Sequence, residues 1–319
     1  MNRRTLIKAG AGLVAAGALG GGVWVQSQRT RRQSDPITGP WPELGQHSFW
    51  LLPSLVDARM VVPDRPHAKQ ESIEGNFGRA RSFLVNTNAE RLRNPELAPK
   101  AGSRVLCVGD SVTFGWGVAD DQSYPAQLAS QMGVQVLNAG VPAQNTFTMR
   151  RYIELKAQEL QVDAVCWTRR PQLMVPDPIG DYVRELDMAR RAAKDAAFIA
   201  VLPPISRFDP KGVESWEEEE RQLKSRLDVP VVELTRPFFA AQRGGATVDI
   251  VGDQLTLKDG DRVVVQDTRP EFDLPRSFYD AFEDDEALKE HLFFDSGHPD
   301  AEGFTLFASE VAKALKPQL

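Results

Sequence analysis

Ser103-Arg104-Val105-Leu106-Cys107-Val108-Gly109-Asp110-Ser111-Val112-Thr113-Phe114-Gly115-Trp116-Gly117-Val118 is the stretch that decides the fold. Its first six residues are a short, mostly apolar run of the kind that forms a buried parallel strand. A glycine-rich loop is expected behind it, and Tyr124-Pro125-Ala126-Gln127-Leu128-Ala129 reads as the start of a helix. A Ser at the C-terminal end of a central strand, flanked by a Gly, sits where open α/β sheets place their ligands. Gly-Asp-Ser alone says little, because Ser and Asp are ordinary turn residues and a tripeptide recurs by chance. Its meaning depends on what else the chain brings to the same place.

Downstream the rhythm is regular. Strand-like runs at 104–108, 134–137, 164–167, 197–202 and 229–234 alternate with helix-like segments at 124–132, 147–160, 182–194 and 214–227. Such alternation predicts a parallel sheet with helices on both sides and right-handed crossovers. Residues 244–267 break the pattern with β-branched runs separated by Gly252-Asp253 and Lys258-Asp259-Gly260-Asp261, which predicts a small β insertion built on hairpin turns. Residues 301–315 close the domain as an amphipathic helix with Phe304, Phe307, Val311 and Leu315 on one face. Upstream, residues 41–100 lack helical periodicity and carry scattered Pro, Gly and Asn. Their clearest strand is 82–86, so an irregular, partly β extension is expected there.

At 319 residues the chain can bury a sizeable core. Hydrophobic residues at 42% and charged residues at 26% fit a soluble globular protein, and a net charge of -6 argues against a nucleic-acid partner. Two cysteines make no disulfide framework. Cys107 and Cys166 both fall in expected core strands and read as small buried hydrophobes. At the N-terminus, Arg3-Arg4 precede a Gly/Ala/Leu/Val run over residues 9–25, followed by Arg29, Arg31 and Arg32. This looks like a twin-arginine export signal, with Ala16-Gly17-Ala18 as a candidate cleavage site and an uncleaved membrane tether as the alternative. The expected organisation is 1–28 export signal or anchor, 29–102 linker and irregular extension, and 103–319 main domain. The expected location is outside the cytoplasm.

A second stretch, Phe294-Asp295-Ser296-Gly297-His298-Pro299-Asp300, gives Gly-Asp-Ser its weight. Acyl transfer by a serine needs the hydroxyl, a base to take its proton, and a carboxylate to orient that base. His298 follows Asp295 by three residues and precedes Pro299, which suits a first helical turn. A loop entering the last helix of a parallel α/β domain can reach the sheet edge where Ser111 is expected. His47, His67 and His291 have no motif around them. No His/Cys/Asp/Glu grouping has metal-ligand spacing, and Gly115-Trp116-Gly117 is no phosphate loop, having no following Lys. No cofactor is expected.

Gly109-Asp110-Ser111, Asn138-Ala139-Gly140 and Asp295-Ser296-Gly297-His298, in that order, resemble three of the four blocks of the SGNH (GDSL-type) hydrolases. The likeness covers about 103–315, and more loosely Val85-Asn86-Thr87-Asn88. It implies a flavodoxin-like three-layer α/β/α sandwich and a serine esterase. Ser111 would be the nucleophile, His298 the general base and Asp295 its carboxylate partner. The backbone N–H groups of Ser111 and Gly140 would serve as oxyanion donors. The third block departs: after the strand 164–167, where the family carries Gly-x-Asn-Asp, this chain has Thr168-Arg169-Arg170-Pro171. Arg169, Arg170 and Asn145 are the candidates to replace the missing Asn donor. The expected substrate is a small-molecule, glycan or lipid ester. Acyl transfer to a carbohydrate hydroxyl and non-catalytic glycan binding are the alternatives.

Overall fold

The computed structural model describes residues 37–38, 51, 53–62, 81–171, 175–205, 210–241, 247–251, 254–259, 262–267, 292–293 and 297–319. The paired arginines, the apolar run 9–25, Asp295, His47, His67 and His291 lie outside the described residues. Upstream of the main domain, β1 (Ile37–Thr38), β2 (Ala58–Val62) and β3 (Arg81–Val85) form a sheet in the order β1-β2-β3.

The central sheet holds β4 (Arg104–Gly109), β5 (Gln135–Gly140), β6 (Ala164–Thr168), β7 (Ala197–Leu202) and β8 (Val231–Glu233), all parallel. Their spatial order is β5-β4-β6-β7-β8. The chain therefore starts in the interior of the sheet, steps out one way to β5, and crosses back over β4 to β6. The crevice above the C-terminal ends of β4 and β6 is the switch point, where open sheets bind ligands.

Side-chain alternation on the strands builds two cores. On β4, Leu106 and Val108 face one side, with Leu137 and Ala139 of β5 and Val165 and Trp167 of β6. Helices α3 (Thr146–Lys156), α4 (Pro178–Ala193) and α5 (Pro210–Arg226) cover that side through Met149, Tyr152, Ile153, Tyr182, Leu186 and Leu223. Val105 and Cys107 face the other side, under α2 (Tyr124–Met132), α6 (Thr235–Ala241) and α7 (Ala301–Leu315), which contribute Tyr124, Leu128, Phe238, Phe304, Phe307 and Val311. This is a three-layer α/β/α sandwich. Cys107 and Cys166 are neighbours across β4 and β6, both free and buried. Burial, then the contact with Cys107, pushes the Cys166 thiol well up, which leaves it inert.

Two local readings change and one helix is added. Residues Ser111–Phe114 form one helical turn, α1, in place of the expected loop. Its β-branched sequence is a poor helix former; the turn is held by its cap and by packing. Helix α6 has Pro237 in its first turn, where proline costs no helix bond, so a residue that reads as a breaker is tolerated. Strand β5 runs on through Asn138-Ala139-Gly140, because Val108 and Gly109 of β4 pair with Ala139 and Gly140. The β insertion is a three-stranded antiparallel sheet, with β10 (Gln254–Asp259) between β9 (Thr247–Val251) and β11 (Arg262–Asp267).

The extension reaches the free edge of β5. The Arg93 N–H donates to Asn138 O (3.0 Å). Beside it the Asn94 amide behaves like a strand residue: its Oδ1 accepts from Asn138 N–H (2.7 Å) and its Nδ2 donates to Val136 O (2.9 Å).

Candidate active site

Ser111 opens α1 at the end of β4. The Asp110 carboxylate caps the turn, its Oδ1 accepting from the Val112 N–H (3.1 Å), while its backbone O accepts from Phe114 N–H (3.0 Å). The N–H of the first helical residue has no partner within the helix, so α1 itself leaves the Ser111 N–H unused. Gly140 lies directly under the turn: a Cβ there would fall 2.2 Å from the Phe114 nitrogen and 2.5 Å from the Thr113 carbonyl carbon. Only a residue without a side chain lets β5 come this close.

His298 arrives from the other end of the chain. Pro299 bridges to Phe293, and the Asp300 N–H donates to Leu292 O (3.0 Å). Helix α7 begins after Asp300, whose Oδ1 accepts from Gly303 N–H (2.9 Å). His298 and Pro299 therefore precede the helix; Pro299 is not in its first turn, because Asp300 takes the capping position. The His298 Nε2 stands 2.8 Å from the Ser111 Oγ across 187 residues of sequence. Both residues are half-buried. A serine hydroxyl and an imidazole nitrogen at this distance can pass a proton directly.

The expected oxyanion donors fare differently. The Gly140 N–H donates to Asn138 Oδ1 (3.0 Å), and the glycine also allows the close packing of β5 under the turn. Arg170 is committed to the fold: Nε donates to Pro203 O (2.8 Å), and the two Nη groups reach Glu219, Glu233 (2.6 Å) and Thr235 (2.8 Å). Asn145 is the N-cap of α3, its Oδ1 accepting from Thr148 N–H (2.8 Å). Neither hydrogen-bonds to Ser111 or His298. Arg169 does come to the site. Its Nη1 donates to Asp110 Oδ2 (2.6 Å) and to Gln144 O, which ties the end of β6 to the nucleophile turn and to the loop before α3. The Arg169 Nε and both polar atoms of the Gln144 amide are buried without hydrogen-bond partners among the described residues.

Two residues without a sequence signal matter here. Trp116, half-buried, stands with its ring 6.3 Å from the His298 ring and 5.5 Å edge-on from Phe83, forming a wall of the site. Arg93, in the extension, binds the backbone that leads to it. The glycines on either side of Trp116, with φ of 86° and 87°, were the visible trace of a tight turn, and nothing in the sequence tied Arg93 to them. Among the described residues no three His, Cys, Asp or Glu side chains gather as around a metal ion, and no helix is long and apolar enough to cross a membrane.

No family model and no curated protein matches the chain. Solved structures with some likeness include a protein assigned to the G-D-S-L lipolytic family from Desulfitobacterium hafniense DCB-2. It is 16% identical, with 67% of this chain and 100% of that one covered and a TM-score of 0.44. A carbohydrate esterase family 2 enzyme with a carbohydrate-binding domain, from Corynascus thermopiles (Myceliophthora fergusii), gives 13% identity, 70% and 68% coverage and a TM-score of 0.43. The salicylyl-acyltransferase SsfX3 of a tetracycline biosynthetic pathway gives 14%, 70%, 56% and 0.41. Likenesses at this level fix no activity, and the site's own geometry has to carry the reading.

Proposed function

We propose that this protein is an exported serine esterase of the SGNH (GDSL) type, cleaving an ester through an acyl-Ser111 intermediate. The observation that carries the reading is the 2.8 Å contact between His298 Nε2 and Ser111 Oγ. As Oγ attacks the ester carbonyl, Nε2 takes its proton, and the carbonyl oxygen becomes an oxyanion against the Ser111 N–H. Collapse expels the alcohol, which recovers the proton from His298. Water then attacks the acyl-enzyme by the same route and frees the acid. Asp295, three residues before His298, is the carboxylate of this reading. Arg169 is the candidate for the missing Asn donor, since its guanidinium reaches the residue beside Ser111.

The substrate class follows from the export signal read at residues 1–28 and from the aromatic wall. Outside the cytoplasm, O-acetyl groups on glycans and lipid esters are the esters at hand, and Trp116 offers either a sugar ring or an acyl chain an apolar face beside the base. Transfer of the acyl group to a sugar hydroxyl uses the same steps, with that hydroxyl in place of water. Fluorophosphonate labelling of the purified protein tests the reading. The expected result is one adduct, at Ser111, lost in Ser111→Ala and strongly slowed in His298→Ala; a wild-type protein that takes no label while folded overturns it. A sugar acceptor added to the turnover assay then separates hydrolysis from transfer, and a folded protein that binds glycan without labelling is the non-catalytic alternative.

A further inference from the structure

We infer that Arg93 is a positioning residue for the nucleophile: a single guanidinium from the extension sets the backbone that carries Ser111 and Trp116. The inference rests on the catalytic reading above.

All five N–H donors of Arg93 are used. The Nε donates to Asp120 Oδ1 (2.6 Å), Nη1 to Phe114 O (2.8 Å) and Gly115 O (2.6 Å), and Nη2 to Val118 O (2.7 Å) and Leu84 O (3.3 Å). Three of these acceptors belong to the eight residues that begin with Ser111. The last carbonyls of a helix have no partner within it, and a cation is favourable there; in α1 the Arg93 guanidinium fills that place. The side chain has no solvent exposure and lies 4.6 Å over the Phe114 ring. The Asp120 carboxylate that receives Nε is itself held by the Asn86 N–H (2.9 Å) and Nδ2 (2.7 Å), so the anchor is fixed from the residue that follows β3.

The turn is shaped around this cation. Gly115 has φ 86°, and a Cβ on it would meet Ser123 Cβ at 2.6 Å and Arg93 Nη1 at 3.1 Å. The Trp116 N–H returns to Ser111 O (3.0 Å), so the residue that walls the base is bonded back to the nucleophile. Stability alone does not call for such a charge, since well-packed apolar residues often replace buried ion pairs with no loss. What an apolar residue cannot supply is five directed N–H groups that fix four carbonyls at once. Displacing a reacting group by about 1 Å can cost roughly a hundredfold in rate.

The experiment compares Arg93→Met, Arg93→Lys and Asp120→Asn with wild type, measuring fluorophosphonate labelling rate, kcat and KM on an activated short-chain ester, and near-UV circular dichroism. Arg93→Met is expected to stay folded, with labelling and kcat down roughly a hundredfold and KM nearly unchanged. Arg93→Lys is expected to recover only part of the loss. In Arg93→Ala, millimolar guanidinium ion should restore labelling, a response that a general loss of stability would not give. A folded Arg93→Met that labels at the wild-type rate overturns the inference. If the Met variant does not fold, Arg93→Lys and Asp120→Asn decide: both folded with wild-type labelling overturns it, and so does unfolding of all three, which makes the role structural only. If wild type itself takes no label, it is the catalytic reading that fails.

Discussion

Arg169 Nη1 and Asp110 Oδ2 lie 2.6 Å apart, joining the strand after the crossover to the residue beside the nucleophile. The carboxylate thus serves two masters, since its other oxygen caps the turn at Val112. Arg169→Ala is expected to lower kcat about a hundredfold with a small change in KM, the size of one lost oxyanion donor. Asn145→Ala, which removes an N-cap, should instead cost about 1 kcal/mol of stability and leave kcat near wild type. A hundredfold fall in kcat for Asn145→Ala, with Arg169→Ala unaffected, would move the donor to the α3 cap.

Arg170 predicts the opposite pattern from its neighbour. Its guanidinium joins Glu219 and Glu233, and the Glu233 side chain is only 3% exposed. Burial, opposed by Arg170, holds the Glu219 carboxyl above its usual range. Removing the cation leaves two carboxylates without their partner, so Arg170→Ala should cost about 3–5 kcal/mol in urea unfolding. The fraction that stays folded should label at the wild-type rate.

Ser111 and His298 act as a unit, so either Ala variant should lose nearly all activity and the double variant should be barely worse. The ring can take the Ser111 proton only in its neutral form, so kcat/KM should fall on acidification. Ser111→Ala activity close to wild type would remove the proton-transfer role.

At the opposite end of the sheet Asp163 contributes to the pH dependence of folding. Burial pushes its carboxyl up, but hydrogen bonds from Lys100 Nζ and the Arg104 N–H, each 2.7 Å, outweigh that and hold it below the usual range. A lowered folded pKa gives stability that is present above the ordinary carboxylate range, about 3.9, and lost as pH falls through the lower folded value. The side chain is 40% exposed, so solvent screening keeps the effect small. Asp163→Asn should lower the urea midpoint at pH 6 and leave it nearly unchanged below the folded pKa; an equal loss at both would assign the effect to packing.

The sandwich was legible because its signals are local. Apolar runs of five or six residues make strands such as Arg104–Gly109, and Ala301–Leu315 shows a helical apolar face over exactly the observed length of helix. The pair Ser111 and His298 was legible because each lies in a short motif at a strand end or helix entry. What escaped was made by tertiary contact. An isolated arginine such as Arg93 looks like a solvated charge until carbonyls close around it, and the commitment of the Gly140 N–H depends on how the Asn138 side chain turns. Among the third-donor candidates, register after the strand favours Arg169; the contacts that separate it from the adjacent Arg170, with Asp110 for one and Glu219 and Glu233 for the other, are tertiary.

The strand-like behaviour of the Asn94 amide bears on how much of the chain can be cut away. A parallel sheet ending on an unpaired strand is a template for another copy, and proteins cover or interrupt such edges to stay apart. Here part of that cover is one carboxamide and the Arg93 N–H, laid along Val136 and Asn138. A polypeptide shortened to begin at Ser103 would keep every strand of the central sheet and lose this guard. Its failure would then take the form of self-association through β5, visible as a concentration-dependent rise in light scattering, before any loss of helix or strand content.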